Sequence, residues 1–321
     1  MAINLSDTLV VGISSTALFD LSIPDSFYRE ARDKLGDDTA IEKYRQFMFD
    51  HENESLDQGT GMPVVKALLE LNKHDKDASS PLVQVVVMSR NSPETGVRIL
   101  NNIRNFDLEI PRTVFTGGET VTDYLTAYDV DLFLTTDLKD AQTVANSRAC
   151  AVALLKKPPK PVSEEVENLE QVRIAFDGDA VLFHEESEIV YKQKGLKKFL
   201  DHEKALENIP MQEGPYAIFL KKLARLQERL PFQMENSPIR IAIVTARNSP
   251  ADIRVIKTLR KWGVYVDAAF FMGGLEKTKV LKAYKPHIFF DDQDIHLDKA
   301  AGIVPSGKVP YSEDSPLSKH E

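Results

Sequence analysis

Two stretches of this chain repeat one another in order and spacing, and that repetition limits the fold more than any single motif does. Arg90-Asn-Ser-Pro93 recurs as Arg247-Asn-Ser-Pro250, Phe115-Thr-Gly-Gly118-Glu119 as Phe271-Met-Gly-Gly274-Leu-Glu276, and Tyr128-Asp-Val-Asp-Leu-Phe133 as Tyr284-Lys-Pro-His-Ile-Phe289. Upstream, Asp50-His51-Glu52 answers Asp201-His202-Glu203, and Leu9-Val-Val-Gly-Ile-Ser14-Ser-Thr16 answers Val172-Arg-Ile-Ala-Phe-Asp177-Gly-Asp179. Collinear matches of this kind point to a duplicated domain, and 321 residues is a length that suits two domains. The Pro-rich, charged run Lys156-Lys-Pro-Pro-Lys-Pro161-Val-Ser-Glu-Glu reads as the join. The expected division is a first domain over 1–158, a linker over 159–170, a second domain over 171–308 and a polar tail over 309–321. The tail is expected to be loosely held, or docked through Val309-Pro-Tyr311.

Within each half, short apolar runs alternate with helical spacing, the pattern of a parallel α/β sheet covered on both faces. Ile253, Ile256, Leu259 and Trp262 predict a helix that packs on the sheet, matched in the first half by Val97, Leu100 and Ile103. Phe219, Leu220, Leu223, Leu226 and Leu230 read as a second helix, and so does the run from Val64 to Leu71. The segment from about 184 to 238 is too long for a simple crossover. A largely helical insert is expected there, capping the crevice.

Three strands of the second half end in reactive groups. Val172-Arg-Ile-Ala-Phe176 runs into Asp177-Gly178-Asp179, Ile239-Arg-Ile-Ala-Ile-Val244 into Thr245, and His287-Ile-Phe-Phe290 into Asp291-Asp292. Ligands of parallel sheets bind at the carboxyl ends of the strands. Four acids and a hydroxyl converging there suit Mg²⁺-assisted phosphoryl chemistry. The first half has Ser14 and Thr16 in place of Asp177 and Asp179, Thr135-Thr136 in place of Asp291-Asp292, and, by the repeat, Met88 in place of Thr245. One active and one catalytically dead copy are therefore expected.

A formal charge of −9 and a pI near 5.4 argue against a nucleic acid polymer or an anionic membrane as partner. Any phosphate site must be locally positive. The single cysteine, Cys150, offers neither an internal disulfide nor a thiolate metal cluster, and no apolar run approaches 18 residues, which together suggest a cytoplasmic soluble protein.

Asp177-Gly-Asp179-Ala-Val, Val244-Thr245-Ala-Arg247, Lys277 and Phe290-Asp291-Asp292 resemble the four motifs of the haloacid-dehalogenase (HAD)-like phosphatases. The resemblance is closer to the AMP-preferring cytosolic 5′-nucleotidase I family. It rests on Ala175-Phe-Asp-Gly-Asp-Ala-Val-Leu-Phe183, Asp201-His-Glu-Lys-Ala205, Ile243-Val-Thr-Ala-Arg247, Leu259-Arg-Lys-Trp-Gly263 and Pro286-His-Ile-Phe-Phe-Asp-Asp-Gln293, with Phe49-Asp-His-Glu-Asn53 and Thr116-Gly-Gly118 in the first half. It implies two tandem Rossmann-like HAD-type domains, the second bearing the cap, and hydrolysis of nucleoside 5′-monophosphates. It implies Asp177 as nucleophile and Asp179 as general acid/base. Mg²⁺ would be held by Asp177, the Asp179 carbonyl and Asp291, with Asp292 beside it. Phosphate would be held by Thr245, the amides near Gly178 and Ala246, and Lys277. Thr278 stands where that pattern has a small residue. The resemblance leaves room for a homo-oligomer.

Some residues keep two readings. A turn accounts for Asp177-Gly178-Asp179 taken alone, but not for that run together with Thr245, Lys277 and Asp291-Asp292 in order. Lys279 rivals Lys277. Arg247 either touches phosphate or is structural. His202 and Glu203 either contact the nucleoside or are structural, as their twins His51 and Glu52 suggest. Asp294, His296 and Asp298 imitate a metal cluster but read better as a helix start. Gly302-Ile-Val-Pro-Ser-Gly307-Lys308 imitates a P-loop yet lacks its final hydroxyl. Alternative functions are a phosphatase for another small monoester, or a nucleotide-binding sensor without catalysis.

Overall fold

The computed structural model describes residues 5–74, 81–157, 171–230 and 237–320, so the expected linker lies outside the described residues. The apolar runs form strands β1 (Leu9–Ser14), β2 (Val83–Ser89), β3 (Arg112–Phe115), β4 (Leu132–Thr135), β5 (Ala151–Leu155), β6 (Val172–Phe176), β7 (Ile239–Thr245), β8 (Ala268–Phe271), β9 (Ile288–Asp291) and β10 (Ser306–Lys308). Every residue of β1, β2, β4 and β9 is buried, which only a sheet covered on both faces allows. All ten strands join one α/β sheet in the order β3-β2-β1-β4-β5-β10-β9-β6-β7-β8. The pairings are parallel except β5 with β10, where Gly307 faces Leu155 and Lys308 faces Leu154. A Cβ on Gly307 would lie 2.9 Å from that of Ala153, so this junction needs a glycine. The near P-loop is therefore a sheet strand.

The strand order mirrors itself about the β5–β10 junction. The registers also refine the match between the halves. Ser89 pairs with Phe115 as Thr245 pairs with Phe271, so the spatial counterpart of Thr245 is Ser89, not Met88. Gly117 N–H donates to the Asn91 carbonyl as Gly273 N–H donates to that of Arg247. The counterpart of Arg247 is thus Asn91, not Arg90. The repeated Arg-Asn-Ser-Pro runs are out of step by one residue in space, because strand pairing and not residue identity sets the register.

One apolar cluster runs along one face of the whole sheet. It joins Leu9, Ile13 and Val87 to Ile174, Phe176 and Ile243, under Val64 and Leu68 of the helix Met62–Glu70 and Phe219 and Leu223 of the helix Ala217–Arg229. The opposite face carries two separate clusters, one around Val10, Met88 and Phe133 and one around Ala175, Val244 and Phe289. Lys222 reaches across the halves to Asp131 at 2.7 Å.

The expected stripe on the helix Asp252–Trp262 is corrected. Ile253 and Ile256 are exposed, and the buried face carries Arg254, Val255, Thr258 and Leu259. Burying Arg254 rotates the helix because that guanidinium has an acidic partner inside, described below. Between β6 and β7 the described chain is largely helical: Glu186–Ala205, broken at Gly195, and Ala217–Arg229. Of the two expectations for the tail, docking through Val309-Pro-Tyr311 is the one the structure shows, not a loose end. Val309, Tyr311 and Leu317 are buried, and the chain after β10 is docked. No described helix is long and apolar enough to cross a membrane.

Candidate active site

Parallel pairing of β6 with β7 and β9 brings their carboxyl ends to one edge. Asp177 follows β6, and its N–H donates to the Phe290 carbonyl at 2.8 Å, which fixes the backbone where the side chain emerges. The chain then turns sharply: Leu182 and Phe183 N–H groups donate to the Gly178 carbonyl at 3.0 and 2.9 Å, and Ala180 adopts a left-handed φ of 58°. That conformation costs a non-glycine residue about 1–2 kcal/mol and is part of the sharp turn that follows Asp179. A Cβ at Gly178 would come within 3.2 Å of Thr245 Oγ1, so the glycine allows the two strand ends to close on each other.

Asp177, Asp291 and Asp292 are buried, and one carboxylate oxygen of each lies within 4.8 Å of the others. Lys277, at the N-terminus of the helix Thr278–Tyr284, sits among them, 2.9 Å from Asp177 Oδ1 and 2.7 Å from Asp291 Oδ2. Lys279 is exposed. One ammonium does not neutralise three carboxylates whose pairwise repulsion at such range is about 4 kcal/mol. Burial, opposed by Lys277 and reinforced by Asp291, pushes Asp177 up to about 6. Burial, with Asp291 and Asp177 alongside, pushes Asp292 well above the usual carboxylate range. Burial alone would lower Lys277, but the charges of Asp177 and Asp291 win and raise it. Asp292 Oδ2 accepts from the Tyr311 hydroxyl, whereas Asp292 Oδ1 is buried with no hydrogen-bond partner. Asp177 Oδ1 meets Lys277 as an ion pair without hydrogen-bond geometry. Hard oxygen donors, a surplus of negative charge and an unsatisfied buried oxygen fit a divalent cation.

Asp179 stands apart from that triad. Arg247 holds its carboxylate through both Nε (2.7 Å) and Nη2 (2.6 Å). The remaining arm of Arg247 donates to Glu203, which is fully buried and also receives Arg254 Nη1 at 2.9 Å and Ser187 Oγ at 2.7 Å. Glu203 therefore points inward, while His202 is half-buried beside it at 4.0 Å. Ala246 is exposed just past β7, and Thr245 is buried at its end. Asp294 starts the helix Asp294–Ala300 and pairs with Lys156 and Lys308, each at 2.6 Å, so the second acidic run ties the halves together.

Three groups escaped the sequence reading. Arg254 lies beside the stripe that apolar spacing picks out, so that spacing gave no sign of it. Glu188 is pushed up to about 7 by burial and then by the charge of Asp179; nothing in its surroundings on the helix marks it. Tyr311 appeared only as a docking residue.

An acidic triad with a buried lysine at the carboxyl ends of parallel strands is an arrangement suited to metal-assisted handling of a phosphate group. The chain belongs to the 5′-nucleotidase family: it matches the sequence profile described as 5'-nucleotidase over residues 1–316. It is 33% identical over 300 residues to cytosolic 5'-nucleotidase 1B of Homo sapiens, an alignment that covers 92% of this chain and 47% of that protein. The chain thus spans about half the length of that curated relative. No solved structure matches it significantly.

Proposed function

We propose that this chain is a Mg²⁺-dependent 5′-nucleotidase that hydrolyses nucleoside 5′-monophosphates, AMP-like ones preferentially, to nucleoside and phosphate. The observation that carries this reading is the buried Asp177–Asp291–Asp292 triad with Lys277 paired to Asp177 and Asp291, at the carboxyl ends of β6 and β9. Two tandem HAD-type domains related by duplication, over 1–158 and 171–308, are supported by the mirrored strand order and matching registers. The helices between β6 and β7 act as the cap. A cytoplasmic location accords with the name of the human relative.

Asp177, Asp291 and Asp292 would hold the cation, which when bound neutralises the triad and draws charge from the phosphoryl oxygens. Asp177 attacks phosphorus, forming a bond from its carboxylate oxygen while the bond to the ribose 5′-oxygen breaks. Asp179 delivers a proton to that oxygen as the nucleoside leaves. A water then gives its proton to Asp179 and attacks the aspartyl-phosphate, releasing phosphate and restoring Asp177. Lys277, Thr245 and the backbone at Gly178 and Ala246 bind the phosphoryl oxygens. His202 faces the nucleoside side, and Glu203 serves through Arg247.

The first half supports the single-site reading. Ser14, Thr16 and Thr136, which replace three of the four acids, hydrogen-bond to one another instead. Val121, buried, occupies the place of Lys277. None of the residues at the positions that match the four acids and Lys277 carries a charge: they are Ser14, Thr16, Thr135, Thr136 and Val121.

Phosphate release from a panel of nucleoside 5′- and 3′-monophosphates and sugar phosphates, with Mg²⁺ or EDTA, tests the reading. Mg²⁺-dependent turnover of a 5′-monophosphate that Asp177→Asn abolishes is expected. Turnover confined to sugar phosphates would overturn the nucleotidase assignment, and tight nucleotide binding without turnover would make the chain a sensor.

A further inference from the structure

The chain after β10 does more than close the sheet. Because β10 lies between β5 and β9 and runs antiparallel to β5, its carboxyl end emerges at the edge where Asp177 and Asp291 stand. The first half's helix Leu138–Ser147 leads into β5, so its last turns reach the same edge. The tail crosses between them. Gln142 Nε2 donates to the Tyr311 carbonyl at 2.8 Å, and Glu313 N–H donates to Asn146 Oδ1 at 2.9 Å. On its other side the tail meets the cap: Ser315 Oγ donates to Glu185, and Lys192 lies 6.0 Å over the Tyr311 ring. The ring itself packs with Ala180, next to Asp179, and with Leu317. Its hydroxyl ends on Asp292 Oδ2, leaving Asp292 Oδ1 buried and unpartnered beside Asp177 and Asp291.

We infer that Tyr311 is a positioning residue for the metal-binding acid Asp292, and that through it the catalytically silent half braces the active site. The inference rests on the metal reading above. The hydroxyl fixes which oxygen of Asp292 turns toward the triad. Gln142 in turn fixes the backbone from which Tyr311 reaches in. This gives the first half a task at a site to which its own strand ends contribute nothing, since antiparallel joining turns the carboxyl ends of β1, β2 and β4 toward the opposite edge. Outer partners of metal ligands typically matter by about 10–100-fold in affinity or activity.

The test is Mn²⁺ binding, followed by electron paramagnetic resonance of the free ion, on wild type, Tyr311→Phe, Gln142→Ala and Asp292→Asn. Thermal unfolding of each metal-free protein runs alongside. Tyr311→Phe is expected to weaken Mn²⁺ binding about 10-fold or more, while its metal-free melting temperature stays near that of wild type. Gln142→Ala, which leaves the hydroxyl in place, is expected to weaken binding in the same direction by less. Wild-type affinity in both Tyr311→Phe and Gln142→Ala would overturn the inference while leaving the metal site intact. Full binding in Asp292→Asn would likewise overturn the inference, because Asp292 would then not bind the ion, whereas absence of Mn²⁺ binding in the wild type would overturn the metal reading itself. If Tyr311→Phe does not fold, Gln142→Ala decides alone.

Discussion

Glu203 is where a single residue decides the most. It is fully buried and compensates two guanidinium groups, Arg247 and Arg254, that are themselves almost wholly inside. A buried ion-pair network is weak evidence of net stability, but removing one member leaves uncompensated charge and costs about 3–5 kcal/mol. Glu203→Ala is therefore expected to lower the unfolding free energy, measured by urea titration, by that order, and Glu203→Gln, which keeps the acceptor oxygen for one arginine, by clearly less; equal losses would show that charge is irrelevant there. Glu188 makes the opposite kind of case. Its carboxyl is raised from 4.5 to about 7 by burial and by Asp179. The folded protein thus holds a proton there that the unfolded chain gives up, so stability falls as pH climbs from about 4.5 through 7. In EDTA, Glu188→Gln should match wild type near pH 4.5 and exceed it at pH 8 by about 3 kcal/mol. A difference that does not change with pH would refute this account. The acids of the site were legible in the sequence because strand ends and Asp-Gly-Asp spacing are local signals. The partners of Arg247 were not, since Glu203 and Asp179 meet it only through the fold.

At the scale of elements, the helix Glu186–Ala205 is two helices. Gly195, at φ 75° and ψ 174°, breaks it, and Gly36, at φ 83° and ψ 166°, separates the helices Ser22–Leu35 and Asp37–Asp50 in the first half. Only glycine occupies that backbone region comfortably, and the strain on another residue is about 1–3 kcal/mol. Nothing lies within 4 Å of a Cβ built at Gly195, so Gly195→Ala is a pure backbone test. The substitution is expected to destabilise by that amount. It should also shift KM more than it shifts Asp177 reactivity, because Glu203 lies after the bend and Glu188 before it. Unchanged stability would mean that the bend relaxes into a straight helix at no cost. Helical spacing located the helices but misjudged the face of Asp252–Trp262, where Ile253 and Ile256 took the apparent stripe and Arg254 the real one. Apolar periodicity is blind to a buried charge whose partner is remote in sequence. The same holds for the register slip between Arg90 and Arg247, which residue identity concealed and strand pairing revealed.

The whole molecule turns repetition into dependence. The repeated motifs were legible because they are written in the sequence. The edge-to-edge junction was not, since the pairing of β5 with β10 joins strands remote in sequence and β10 is only three residues long. That junction gives one face of the sheet a single core: Leu9, Ile13 and Val87 of the first half and Ile174, Phe176 and Phe290 of the second belong to the same cluster. Separating the halves would expose apolar surface on both, at about 1.5–3 kcal/mol for each large side chain uncovered. It would also cut the Lys222–Asp131 and Lys156–Asp294 pairs and the Gln142 contact to the tail. These losses rival the total stability of an ordinary domain, about 5–15 kcal/mol. Residues 171–321 alone, although they carry every proposed catalytic group, are thus expected to give no cooperative thermal transition and no phosphate release. Co-expression with residues 1–158 should restore both, because the missing surface is supplied without a covalent link. A soluble, cooperatively melting and active second half on its own would show instead that the first half is dispensable and that its retained fold answers to something other than support.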